Sequence, residues 1–439
     1  MKKPTHSPEQ KYTSGVGVLL DFEDVKVLDV LRTKAEKVIV ITSILNDSHK
    51  QCPTCGAMGK RHGTRRVDLI DLPFHNKPVI IRWKKQRMRC TNGKCKLTWT
   101  IQDPRIASAR SRLTTIAAKW CVEQLIEGDT IARLAKTLHC DWHTVDHAIS
   151  LYGNALLEAD TERIRHTKAI GLDETAFLSH RGNNYQGTHY VTTICDTVNN
   201  TVVDIAPSRK KDDVVDMLKS FPEEWLEGIK FGTLDLSPTY RAVYALALPG
   251  VIRIADPFHV IKLANLRLDE IRRRIQWETT GHRGRKDDPL YTIRRRLLTG
   301  LEKLSEKSLA RVESALKLGD PDGTLCMSWR VKETLRESYK KGSPEEAKQS
   351  LQAVIDNCLR KESPKELKQL GRTLTHWWDE IVAYFTHRFS NGPTEGINNR
   401  IKKIKRDGYG FRNFENYRLR ILLRLGGVNT RLLEGIFVP

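Results

Sequence analysis

Three patterns in the 439-residue sequence predict an α/β core interrupted by an all-α insertion and preceded by a small cysteine-bearing unit and a helix pair. Between residues 167 and 256, short apolar runs alternate with helical stretches. From residue 262 the apolar period becomes helical and stays so to about residue 378. Ahead of both lie two closely spaced cysteine pairs.

In the core, residues 167–172 form an apolar strand that should end in Asp173-Glu174. Runs at 189–195 and 201–205 flank Asn199-Asn200, a hairpin signal. A helix at 212–220 precedes a strand at 229–234 ending in Asp235. A helix at 238–246 then leads to a strand at 251–255, which ends in Asp256 and runs on to His259. The order β-β-β-α-β-α-β is that of a ribonuclease H-like fold, whose first and fourth strands are parallel neighbours. Adjacent strands lie about 4.8 Å apart, so Asp173 and Asp235 at matching ends can share a divalent ion. Glu174 should face the other way, because strand neighbours alternate. Asp196 and Asp204, at hairpin ends, should lie at the surface. Asp256 and His259 are accessory candidates that could orient a ligand or water, or else a buried turn at the sheet edge.

A third acid, from a helix after the last strand, would complete such a site. The candidate stretch is 389–414, FSNGPTEGINNRIKKIKRDGYGFRNF. Pro393 suits a first helical turn, where its missing N–H has no helical partner. Glu395, Asn398 or Asn399, Lys402, and Lys405 or Arg406 then recur every three to four residues along one face. A carboxylate heading amides and cations fits a cation holder backed by a phosphate-binding stripe. It also fits a solvated helix with its acid near the positive end. Asp173 and Asp235 favour the first reading, since they give Glu395 partners. The Gly408-Tyr409-Gly410-Phe411 stretch suggests a bent loop near DNA.

The two cysteine pairs are Cys52-Pro-Thr-Cys55 and Cys90-Thr-Asn-Gly-Lys-Cys95. Two knuckles separated by strand-like residues fit a structural Zn2+ ribbon, four thiolates closing a tetrahedral shell. Gly56 and Gly93 should provide the tight turns. Arg61, Arg65, Arg66, Arg82, Lys84, Lys85, Arg87 and Arg89 around them fit a DNA-contacting face. Residues 1–47 read as a lead-in without chemistry of their own.

Helical periodicity at 114–155 breaks at Gly128-Asp129 and at His139-Cys140-Asp141. This is a helix-turn-helix pattern, with Asp141 as cap and Trp142, His143, Thr144 and His147 as the readers of base edges. The insertion carries Arg272-Arg273-Arg274 and Arg294-Arg295-Arg296, and its Trp329, Trp377 and Trp378 could stack on an unpaired base. Across the chain, 74 Lys and Arg against 53 acids leave +21, which calls for a polyanionic partner. The start, MKKPTHSPEQ, lacks the apolar segment of a signal peptide, and no run is apolar enough to span a bilayer. The expected setting is the cytoplasm, with no membrane partner. Nine cysteines there do not suggest a disulfide framework.

Taken together, CPTCG with its second knuckle, the helix-turn-helix, GLDETAF, TLDLSPTYRAV, ADPFHVIKL and SNGPTEGINNRIKKIKRDGYGFRNF resemble bacterial insertion-sequence transposases of the ISL-three family. The resemblance runs from about residue 52 to 425 and implies a DDE triad, falling on Asp173, Asp235 and Glu395. It implies cleavage of double-stranded DNA at the element's terminal inverted repeats and transfer into target DNA, with a homodimer as the active complex. Hard oxygen ligands suit two Mg2+ (or Mn2+) ions, about 3.5–4 Å apart in such sites. Lys402, Lys405 and Arg406 would position phosphates. The expected layout is lead-in 1–47, zinc unit 48–105, helix-turn-helix 106–155, core 160–261, insertion 262–384 and final core helices 385–439. Competing readings are a zinc and helix-turn-helix regulator, which needs no acids in the sheet, and a ribonuclease H-like nuclease without strand transfer.

Overall fold

The structure, a computed structural model, describes residues 24–182 and 185–439. The chain divides into two compact units, Met1–Ile164 with Ile404–Pro439, and Arg165–Lys403.

In the first unit, β1 (Val25–Arg32), β2 (Lys37–Ser43), β3 (Gly59–Phe74), β4 (Lys77–Cys90) and β5 (Thr98–Thr100) share one sheet. Its order is β1-β2-β4-β3, with β5 also paired to β4. The β3–β4 hairpin turns through His75 and Asn76, both left-handed, which suits the twist of a two-residue loop. Val25, Ile41, Leu69, Ile81 and Trp83 fill the core, and the Trp83 indole N–H donates to Ser43 Oγ at 3.1 Å. β2 pairs in parallel with β4. The described part of the expected lead-in therefore completes the zinc unit's sheet, because the apolar face of β2 needs that core. Residues 1–23 of the lead-in lie outside the described residues.

Helices α1 (Thr115–Glu127), α2 (Ile131–Thr137) and α3 (Trp142–Ala159) follow. Thr114, Thr130 and Asp141 cap them, each side chain accepting a backbone N–H. Leu134, Val145, Ile149 and Tyr152 form their core together with Leu419 and Leu423 of the Phe414–Leu425 helix. Residues after 403, expected with the catalytic core, thus pack with the helix-turn-helix, since their leucines complete its apolar interior.

In the second unit, β6 (Ala169–Gly182), β7 (Tyr185–Asp196), β8 (Thr201–Ala206), β9 (Phe231–Leu234) and β10 (Ile252–Ala255) form a sheet of order β10-β9-β6-β7-β8. β6, β9 and β10 run parallel; β7 pairs antiparallel with both β6 and β8. Helices α4 (Lys211–Lys219) and α5 (Pro238–Ala247) lie between the strands they connect in sequence. The first strand is longer than the sequence suggests. Its pairing with β9 stops at Gly171, while its pairing with β7 continues to Gly182. Asp173 therefore stands mid-strand, at the point where one edge of β6 opens. Asp196 and Asp204 are buried rather than superficial, at 2% and 7% exposure. Asp196 earns this by accepting the Thr167 hydroxyl and the Val198 and Asn199 amides, which ties off the β7–β8 turn.

The insertion starts with α6 (Pro257–Thr280) and continues through α7 (Glu306–Gly319), α8 (Thr324–Ser338), α9 (Pro344–Leu359), α10 (Lys365–His376) and α11 (Trp378–His387). Helices α8 and α10 pack on α6, and α11 packs on β10. Ion pairs Arg274–Glu366 and Arg241–Glu380, at 2.8 and 2.7 Å, tie these layers together. Trp329 and Trp377 are core residues, 7% and 3% exposed, which removes them as stacking platforms. Trp377 instead lies under the Arg241 guanidinium. The exposed tryptophan of this region is Trp277. Helix α12 (Gly392–Asp407), whose residues up to Lys403 belong to this unit, carries Glu395.

Candidate active site and zinc centre

The parallel register aligns the acids. Ala169 pairs with Phe231 and Gly171 with Thr233, so two residues further Asp173 stands level with Asp235. Ala255 pairs with Leu234, which puts Asp256 at the same level on the next strand.

Asp173 is held at both oxygens. Asn398 Nδ2 donates to Oδ2 at 2.7 Å, and the Glu174 amide donates to Oδ1 at 2.8 Å. Burial raises its carboxyl above the ordinary range, opposed by those two hydrogen bonds. Asp235 has a different environment. Its Oδ1 is buried with no hydrogen-bond partner among the described residues, and burial plus the charge of Asp173 push its carboxyl up to about 6. Glu174 turns away to pair with Arg209 at 3.2 Å. Beside Asp235 a cavity of about 480 Å3 is lined by His259, Lys262, Asn265 and Asp269, among others.

Asp256, 3% exposed, works as an anchor. Its Oδ1 accepts the Asn391 amide at 3.0 Å, and its Oδ2 meets His259 Nδ1 at 3.1 Å. That hydrogen bond outweighs burial and raises the His259 pKa, with the charges of Asp235 and Asp173 adding to it. Asn391 Oδ1 in turn accepts the Thr233 hydroxyl at 3.0 Å. Nearly two turns into α12, Asn398 Oδ1 accepts the Thr175 hydroxyl at 2.7 Å and that of Thr193 at 3.3 Å. The helix is thus pinned to the sheet on both sides of Glu395.

Gly171 makes this docking possible. A Cβ there would collide with Thr394 Oγ1 and lie 2.6 Å from Asn391 Oδ1 and 2.9 Å from Thr233 Oγ1. Gly171→Ala is expected to lower stability by about 1–3 kcal/mol, the usual cost of overpacking. It should also depress DNA cleavage more than DNA binding, measured by chemical denaturation and a cleavage assay on the same preparation. Equal losses in the two activities would contradict the docking role.

The structure brings Asp173 and Asp235 together but does not close Glu395 onto them. Among the described residues, the four cysteines are the one group of three or more His, Cys, Asp or Glu whose ligand atoms lie within 4.8 Å of one another. Glu395 is exposed, three residues from Asn398 on the same helix. The expected stripe also divides. Ile397, Asn398, Ile401 and Ile404 are buried, because the three isoleucines set the inward face and Asn398 adjoins it. Asn399, Lys402 and Arg406 are exposed; Lys405 is half-buried, and burial lowers its pKa. The roles of Gly171, Thr175, Thr193, Thr233 and Asn391 are missed by sequence reasoning. Their available signal is threonine at inward strand positions, where a valine would ordinarily sit.

The second centre is cysteine-only. Cys52 Sγ lies 3.7 Å from Cys95 Sγ, and Cys55 Sγ lies 3.5 Å from Cys90 Sγ. In each knuckle the first cysteine's amide donates across the loop, Cys52 to Ala57 O and Cys90 to Leu97 O. The residue after each knuckle is left-handed: Gly56 at φ 69° and Lys96 at φ 48°. Gly93, expected to supply the second turn, is not among the residues with positive φ. Burial opposes ionisation of Cys52, but the Thr54 and Cys55 amides outweigh it and bring the thiol to about 7. Such a sulfur is ready to bind a metal as thiolate.

Around this centre Arg61, Arg65, Lys84, Arg87 and Arg89 are exposed. Arg66 and Arg82 both clamp Asp68 at 3.0 Å. Lys85 is buried over the Trp83 ring, donates to Gln102, and is lowered by burial to about 8. The register sets Lys60 opposite Arg89, two exposed cations on neighbouring strands that repel each other. On α3, Trp142, His143 and His147 are exposed. The Thr144 hydroxyl is committed to the cap, donating to Asp141 Oδ2 at 2.9 Å. Among the described residues, no helix is long and apolar enough to cross a membrane.

Comparison with known proteins gives this arrangement its class. Residues 49–95 match the zinc-finger of transposases IS204, IS1001, IS1096 and IS1165, and 102–152 match the helix-turn-helix domain of transposase family ISL3. Residues 170–421 match a DDE-type ISL3 family model described as transposase. The chain is a DNA transposase, a DNA-binding enzyme with a structural zinc site at Cys52, Cys55, Cys90 and Cys95. It belongs to the ISL3 family, whose transposase model covers more than half of it. It is 24% identical over 382 residues to the transposase for insertion sequence element IS1001 of Bordetella parapertussis, covering 84% of this chain and 87% of that one. It is 27% identical over 363 residues to the transposase for insertion sequence element IS1557 of Mycobacterium tuberculosis, covering 74% and 78%.

Proposed function

We propose that Asp173, Asp235 and Glu395 are the catalytic triad of a ribonuclease H-like core. They hold Mg2+ or Mn2+, cut the ends of the insertion sequence that encodes the chain, and join those ends to target DNA. The observation that carries this reading is the partnerless, buried Asp235 Oδ1 beside Asp173. Two desolvated carboxylates at one level resist ionising together unless a cation lies between them. Oxygen donors suit a hard divalent ion. When bound, such ions stabilise a leaving 3′-oxygen and lower the pKa of attacking water.

The chain's own groups do the positioning. Asn398 and the Glu174 amide fix Asp173, while Asp256 orients His259 toward the cavity beside Asp235. Lys402, Lys405 and Arg406 extend from the Glu395 helix as phosphate contacts. In the first step water displaces one strand at a phosphodiester, leaving a 3′-hydroxyl at the element end and a 5′-phosphate opposite. In the second, that hydroxyl displaces a target 3′-oxygen, so bond count is conserved. Residues 48–105 and 106–155 read the terminal repeats through the zinc-unit arginines and the exposed Trp142, His143 and His147, while Thr144 holds the cap at the start of that helix. Two copies, one per end, make the working complex on chromosomal DNA in the cytoplasm.

A metal-free test follows from the sign of the Asp235 shift. Its folded pKa, about 6, lies above the ordinary 3.8. The group therefore favours the fold when protonated, and that contribution fades as pH rises from about 4 through 6. At pH 7.5 without metal, Asp235→Asn should be more stable than the parent by on the order of 1–3 kcal/mol, read as a Tm higher by a few degrees. Mg2+ or Mn2+ should raise the parent's Tm and leave the variant's unchanged. A less stable variant, together with a parent indifferent to both ions, would refute the metal site.

A further inference from the structure

The Gly408-Tyr409-Gly410-Phe411 segment has no part in the chemistry above, yet it lines a cavity in the first unit. That cavity measures about 720 Å3, within the range of small-molecule sites, and its lining includes Trp142, Arg406, Tyr409, Phe411, Asn416 and Arg420. Three observations point to an occupant. Tyr409 is left-handed, with φ 52°, and 99% exposed, so a large aromatic ring is held out in an uncommon backbone conformation with nothing against it. Arg420 is only 4% exposed. Its Nη2 binds Asp146, but its Nη1 is buried without a hydrogen-bond partner among the described residues. Finally, Trp142, at the first turn of the helix expected to read DNA, is 45% exposed and lines the same space.

The charges of the wall are uneven. Asp129, Asp146 and Asp407 are each paired, with Arg133, Arg420 and Arg424 respectively. Arg406 and Arg412 have no carboxylate partner among the described residues. The cavity thus offers aromatic surface, unpaired cations at its rim and one buried guanidinium N–H that needs an acceptor. A nucleotide supplies all three complements: a flat base, a phosphate, and a ring carbonyl or phosphate oxygen.

We propose that this cavity receives one unpaired nucleotide from the DNA end bound by the helix-turn-helix. The base packs against Trp142, Tyr409 and Phe411, its phosphate lies toward Arg406 and Arg412, and Arg420 Nη1 donates to an oxygen of the inserted group. The inference rests on the end-binding reading above and adds to it a specific distortion of the duplex. Stacking on an aromatic side chain is tolerant of base identity, so the site reads ease of unpairing rather than a letter.

The test uses full-length protein and duplexes carrying the element's terminal repeat, with 2-aminopurine placed at each position in turn. Wild-type protein should change the emission of one position only. Tyr409→Ala should abolish that change and reduce the preference for end over unrelated duplex about tenfold, while Tyr409→Phe restores both. Because Tyr409 is fully exposed, its removal does not put folding at risk. Intact preference in Tyr409→Ala, with no position changing emission on wild-type binding, would overturn the inference and leave end recognition standing. A wild-type protein that does not distinguish the end duplex from an unrelated one would overturn the end-binding reading, and this inference with it.

Discussion

Asp173→Asn and Glu395→Gln are each expected to bind the element ends and to lose Mg2+-dependent cleavage by at least about a hundred- to a thousandfold, the scale on which removal of one charge-stabilising group is felt. The two variants test different parts of the site. Asp173 lies between Asn398 and the Glu174 amide. An amide of the same shape keeps one of those bonds and removes the charge that a divalent ion needs. Glu395 is exposed on a helix that Asn391 and Asn398 already hold in place. Its change to glutamine therefore leaves the fold alone, and a loss of cleavage cannot be ascribed to misfolding. Gel shift with the end duplex and a strand-resolved cleavage assay on the same preparations measure both properties. Cleavage unchanged in either variant would remove that residue from the triad.

Withdrawing zinc is expected to have the largest effect on stability. Structural Zn2+ is worth about 10–16 kcal/mol in small zinc-binding units at neutral pH. Here the knuckles close the ends of β3 and β4, with sulfurs paired at 3.5 and 3.7 Å, and beside them the Thr91 amide donates to Met58 O from one knuckle to the other. Cys52→Ser should release the metal and free the 52–61 and 87–100 segments, while the Trp83 core, further along the hairpin, persists. Metal analysis should give about one zinc per chain in the parent, and hydrogen exchange should show deprotection confined to those segments in the variant. A folded, metal-free parent would contradict the assignment.

The elements that announced themselves in the sequence are those whose signal is local. The cysteine spacing gives both knuckles, the Asp141 cap gives the start of α3, and Pro393 gives the first turn of the Glu395 helix. Strand periodicity placed Asp173 and Asp235 near one another, and the parallel pairing of β6 with β9 has that register. What was hidden depends on partners distant in sequence. The length of β6 is set by β7 rather than by its own residues. The burial of Asp196 depends on Thr167. Trp377 lies beneath the Arg241 guanidinium, a partner far away in sequence. Asn398 and Asn399 are equivalent in the sequence pattern. Only the docking of α12 on Thr175 and Thr193 turns the first inward and leaves the second in solvent. The threonines and Gly171 that receive the helix carry no motif at all.

The most direct measurement of the central claim is cleavage in vitro of the native element ends by the full chain with Mg2+, both strands mapped to the nucleotide. Cuts are expected at the element boundary on duplexes that carry the terminal repeat, each leaving a 3′-hydroxyl on the element strand, and lost to the extent given above in Asp173→Asn. Cuts distributed equally over any duplex, or products ending in a 3′-phosphate, would contradict it.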